Sequence, residues 1–113
     1  MSKEDEMAKF VVVYAGGMGM AASPEEQEKI MGEWGAWYGK MGEAVVDGGN
    51  PFGASKSISG PGAAAADGPG NVPATGYTVI SADSLDAATA ACADHPHLNH
   101  QGQVSVFEAI DMG

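Results

Sequence analysis

A chain of 113 residues with fifteen carboxylates, five Lys and no Arg carries a formal charge of −10. That removes the basic footprint a phosphate backbone demands, so nucleic-acid binding is excluded. The length suits one domain, and with two Leu and four Ile its core must be built largely from the twelve Met, Trp and Tyr side chains.

Residues 1–7 read as an acidic solvated tail without a signal-peptide pattern, and 8–113 as the domain. Phe10 to Ala15 is a β-branched and aromatic run ended by Gly16-Gly17, and no polar residue alternates in it. This predicts a strand apolar on both faces, followed by a loop over 16–22. Ser23-Pro24-Glu25-Glu26 opens a helix: Ser23 caps, Pro24 suits the first turn and Glu26 completes a capping box. The helix runs to Met41 and stops at Gly42. At 100° per residue Ile30, Trp34, Trp37 and Met41 form its core stripe, flanked by Met31 and Tyr38. Glu26, Lys29, Glu33 and Lys40 fall on a solvent face, and Gly32, Gly35, Gly39 and Gly42 on a third. Those glycines mark either a tolerant surface or the close approach of a neighbouring backbone.

Ala44-Val45-Val46 begins a second strand. The Gly- and Pro-rich stretch 48–74 holds a small hairpin around Gly60-Pro61-Gly62, and Gly76 to Ala82 is a third core strand. Asp83-Ser84-Leu85-Asp86 caps a second helix with Leu85, Ala88 and Cys92 inside, His95-Pro96 ends it, and Gln103 to Ile110 is the last strand. Strand, helix, strand, strand, helix, strand is the ferredoxin-like α+β order, an antiparallel sheet with two helices on one face. The first strand is apolar on the uncovered side as well, which predicts a homodimer packed sheet to sheet. Cys92 is the only cysteine, which excludes an internal disulfide and fits a reducing cytoplasm, and no stretch is long and apolar enough to span a membrane.

Phe10-Val11-Val12-Val13-Tyr14, Ser23-Pro24-Glu25-Glu26, Gly42…Val45-Val46…Gly48-Gly49, Asp67-Gly68-Pro69, Gly76-Tyr77, Ala82-Asp83-Ser84-Leu85-Asp86-Ala87, Pro96-His97-Leu98 and Val104-Ser105-Val106 follow one another in order. In that order the chain resembles the YCII-related (DGPF domain) family of the dimeric α/β-barrel superfamily. The resemblance implies the fold and a dimeric barrel. Two positions depart from it: Gly70 stands where the signature has Phe, and the family's helical His and post-helix Asp fall at Met31 and His95. The acid–base pair of the enzyme-like members is therefore not present as such.

In this topology Tyr14, residues 16–24, Tyr77 and Asp94 to His100 converge at one end of the sheet, where the first helix also points its N-terminus. Tyr14, Met31, Trp34, Tyr77, His95, His97 and His100 are the candidate pocket residues. His97 is either a general acid–base group or a turn-shaping hydrogen-bonder, and Asp94 is the nearest carboxylate for it. His95, His97 and His100 match no standard zinc spacing, so no metal or other cofactor is expected. Trp34 and Trp37 either fill the core or line a cavity. Asp47 is placed at the opposite end of the sheet, Cys92 reads as a small buried hydrophobe, and the Gly-Gly pairs make turns. Two functions follow from this reading. One is a homodimeric small-molecule-binding module; the other is an acid–base enzyme of lyase or isomerase type on a small anionic or phenolic substrate.

Overall fold

The computed structural model describes residues 8–17 and 23–112; the tail 1–7 and most of the 16–22 loop lie outside the described residues. Strand β1 (Ala8–Gly16) leads to helix α1 (Pro24–Met41), where the Ser23 hydroxyl accepts from the Glu26 N–H at 3.2 Å and Gly42 closes the helix at φ +54°. A 3₁₀ turn over Gly42–Ala44 takes the place of the predicted strand start, so β2 (Val45–Asp47) is short. Strands β3 (Lys56–Ser57) and β4 (Ala66–Asp67) pair as the small hairpin. Then come β5 (Ala74–Ala82), α2 (Leu85–Cys92), a 3₁₀ turn over Pro96–His100, and β6 (Gly102–Ala109).

Four strands form one antiparallel sheet in the order β2–β5–β1–β6, compatible with a ferredoxin-like α+β fold. The two central strands obey period-two burial: Phe10, Val12 and Tyr14 of β1 face the helices together with Gly76, Thr78 and Ile80 of β5. Trp37 of α1 and Ala88 and Cys92 of α2 complete the core, and the Trp37 indole N–H donates to the Ala91 carbonyl at 3.2 Å, tying the helices together. Burial of Phe10 and Ile80, both fully enclosed, stabilises the fold by roughly 1.5–3 kcal/mol each. Among the described residues no helix is long and apolar enough to cross a membrane.

Among the described residues no helix covers the other face of the sheet. It carries Val11 and Val13 of β1 beside Tyr77 and Val79 of β5, and Phe107 of β6 stands 57 % exposed on it. Val11 and Val13 are half-buried rather than enclosed, and the molecule is 18 Å across its shortest axis, one sheet and one helix layer.

Three expectations change. Leu85 is not an inner residue of α2 but 46 % exposed, because it occupies the first turn beyond the edge of the core. Nothing lies within 4 Å of a side chain built at Gly32, Gly35 or Gly39, so within one chain they are plain surface and not a site of close approach. Glu33 is not on the solvent face but half-buried, drawn in by a contact with His100.

Candidate functional site

A cavity of about 580 Å³ opens at the end of the sheet where β1 finishes and β5 begins. Helical periodicity brings Ile30, Trp34 and Tyr38 of α1 to one wall, with Met31 at the rim, 74 % exposed. The stretch Gly48 to Phe52, following β2, forms the facing wall, and Tyr14, Gly76 and Tyr77 form the sheet end. His97 and His100 close it. They are three residues apart on a 3₁₀ turn, a spacing that stacks side chains on one side.

Of the pocket residues named from sequence, Tyr14, Met31, Trp34, Tyr77, His97 and His100 line this cavity. His95 does not: it is fully buried behind Tyr14, with its ring centroid 4.4 Å from that of Trp37 and 4.5 Å from that of Trp34. Asp94 also lies outside, exposed and paired with the Lys40 ammonium, whose hydrogen bond holds its carboxyl below the ordinary value. Among the described lining residues those of α1 begin at Ile30, so the first turn of α1 is set back from the cavity. Asp47 ends β2 rather than starting it and accepts from the Gly49 N–H at 2.8 Å, just ahead of the cavity wall.

The donor and acceptor roles of the buried groups follow one from another. His95 Nδ1 accepts the His97 backbone N–H at 3.0 Å, so a neutral His95 ring carries its proton on Nε2. Burial, aided by the neighbouring His97, lowers this imidazole to a pKa of about 4. His95 Nε2–H therefore donates to the Tyr14 hydroxyl at 3.1 Å, and Tyr14 donates to the Thr78 hydroxyl at 2.7 Å. The Thr78 hydroxyl donates to the Gly48 carbonyl at 3.1 Å, which also accepts from the Tyr38 hydroxyl at 3.0 Å. Burial pushes the Tyr14 phenol up, so it stays protonated within this chain.

His97 lies between two glycines: a Cβ at Gly17 would come 2.5 Å from its Cε1, and one at Gly102 would come 2.2 Å from its Cδ2. Its Nε2 sits 2.9 Å from the Ala15 carbonyl, an acceptor only, so Nε2 carries a proton and donates to it. No buried side-chain nitrogen or oxygen among the described residues lacks a partner, and the His97 ring lines the cavity.

His100 Nε2 meets Glu33 Oε1 at 2.7 Å, the carboxylate coming from α1 and the imidazole from the turn before β6. Sequence reasoning missed Glu33, and the i, i+3 spacing of His97 and His100 was the signal available for the turn. Tyr38 was read as a flank of the core, yet its hydroxyl lies on the cavity side. Among the described residues no three His, Cys, Asp or Glu side chains are grouped to hold a metal ion. Both ring nitrogens of His95 are already committed. No protein-family model and no curated protein matches the chain.

Proposed function

We propose that the chain is a cytoplasmic homodimeric small-molecule-binding protein with a YCII-related, dimeric α/β-barrel fold, its ligand seated in the cavity between α1, the start of β5 and the Pro96–His100 turn. The cavity carries this reading. Its 580 Å³, its apolar walls of Ile30, Trp34, Pro51 and Phe52, and its inner group of Tyr14, Tyr38, His97 and His100 have the size and make-up of ligand sites. Fragment screening by ligand-observed NMR tests it, with Met31→Trp as the comparison. Met31 is exposed at the rim, so the larger ring is expected to narrow the mouth and abolish most hits without disturbing the fold. A screen with no hits, or equal hits on both proteins, overturns the reading.

The dimer is supported by the open sheet face. Across β1, β5 and β6 it presents Val11, Val13, Val79 and Phe107 with Lys9, Ser81, Ser105 and Ala109, while Asp47 of β2, opposite Val79, places a carboxylate at its edge. A largely apolar face suits a second copy of itself.

A second reading, proton transfer of the lyase or isomerase kind, is favoured by the Glu33–His100 contact. A carboxylate orienting an imidazole at a cavity wall is the arrangement a general base requires. Under it, Glu33→Gln retains binding and loses turnover by roughly 10²-fold or more. Equal turnover in the two proteins removes it.

A further inference from the structure

The cavity does not stay on the helix side of the sheet. Its outer wall extends the sheet along the start of β5: the Phe52 N–H donates to the Thr75 carbonyl at 2.9 Å, and the Tyr77 N–H donates to the Asn50 carbonyl at 3.3 Å. Between them Pro51 bridges antiparallel to Gly76. Period-two alternation then sorts the lining residues. Gly76 lies on the helix side, where a Cβ built on it would come 3.6 Å from Tyr14 Cδ2, and Pro51 opposite it takes the same side. Thr75 and Tyr77 fall on the other side with Val79, and the Phe52 ring stacks on that of Tyr77 at 5.8 Å and 23°. Trp34 and Tyr38 on one side and Phe52 and Tyr77 on the other therefore line a single cavity, which turns around the start of β5 onto the uncovered face.

On that face the cavity wall runs into the apolar strip. Tyr77 is the cross-strand partner of Val13 and is followed on the same side by Val79, which pairs with Val11. Phe52 stands 50 % exposed in the single chain, although it lines the cavity and stacks on Tyr77. Such a wall is finished by whatever covers the strip. The strip carries Lys9 and, at its edge, Asp47, charges of opposite sign among apolar side chains. A second copy brings the same apolar surface and the same balanced pair, which a two-fold axis sets against the first. A basic protein, by contrast, is drawn to the acidic remainder of a chain of charge −10.

We propose that a second copy of the chain, packed on the open face, roofs the cavity beside Phe52 and Tyr77, so that ligand binding and dimerisation strengthen each other. Only in the dimer does a ligand bury apolar surface against the partner as well as against its own chain. The coupling is reciprocal: a dimer that holds ligand more tightly is one that ligand holds together more tightly. This rests on both the binding and the dimer readings, and adds to them a regulation of the site, whose affinity follows protein concentration.

Indole and 4-fluorophenol, both flat enough for a cavity walled by rings, serve as probes. Each is titrated by ligand-observed NMR over a range of protein concentrations, with sedimentation velocity fixing the oligomeric state at each. Where dilution leaves the dimer intact, Val11→Glu combined with Phe107→Glu supplies the monomer, since neither residue lines the cavity. The dimer is expected to bind at least roughly tenfold more tightly than the monomer, and saturating probe to lower the dimer dissociation constant by about the square of that factor, because each dimer holds two sites. Equal affinity in the two states, or tighter binding to the monomer, overturns the inference and leaves both readings standing. A protein that is monomeric at every concentration removes the dimer reading and the inference but not ligand binding. If neither probe binds in either state, the binding reading goes with the inference and the dimer stands. Should the doubly substituted chain fail to fold, sedimentation of the unaltered protein with and without indole decides the matter.

Discussion

His95 titrates against the fold. Its folded-state pKa of about 4 lies below the ordinary value of 6.5, so between these pH values the unfolded chain binds the extra proton and the folded chain does not. Stability therefore rises with pH across the window 4 to 6.5 and is lost as pH falls through it, by at most about 3 kcal/mol. Protonating Nδ1 would also set an N–H against the His97 N–H that it now accepts. Urea unfolding at a series of pH values checks this: His95→Gln should be less stable at pH 7 yet show a flatter profile over the same window, and an unchanged slope would show that another group is responsible. Gly49 is a second residue with a single solution. At φ +72°, a Cβ there would lie 1.7 Å from the Tyr77 carbonyl oxygen, so Gly49→Ala should cost about 2 kcal/mol or more and lower the melting temperature by several degrees.

At the scale of elements, α1 is held by packing more than by intrinsic preference. Gly32, Gly35 and Gly39 face open space, so replacing all three with Ala should stabilise the chain by about 2–3 kcal/mol, read as a rise in the urea midpoint. Should stability fall instead, a second chain covers that helix face. The same helix shows how far sequence carries. Ser23, Pro24 and Gly42 mark its ends because caps are local chemistry, and Trp37 falls inside because burial follows a 3.6-residue period. Glu33 escapes that arithmetic: angle alone sets it beside Glu26 and Lys40, while its position is decided by an imidazole 67 residues away. The strand order was legible from alternation and turns, but β2 was read one residue early, since nothing in Ala44-Val45-Val46 shows that a 3₁₀ turn continues to Ala44. His97 and His100 were legible as a cluster. His95 was not legible as a core residue, because its burial depends on two indoles and a phenol supplied by other elements.

For the whole molecule, the open sheet face makes oligomeric state the decisive measurement. Phe107 is exposed in the single chain, so Phe107→Glu should leave the fold intact, and paired with Val13→Glu it should convert a sedimenting dimer to monomer. A wild-type protein that sediments as a monomer at high concentration would falsify the sheet-to-sheet dimer. The low charge of that face has one more consequence. Two chains of charge −10 repel across any distance that their counter-ions leave unscreened, while the faces that would meet in the proposed dimer carry Lys9 and, at the edge, Asp47 among mostly apolar side chains. Added salt shortens the reach of the repulsion to about 10 Å at 0.1 M and leaves the apolar contact undiminished. Association of this protein should therefore tighten as ionic strength rises, the reverse of an interface built from ion pairs.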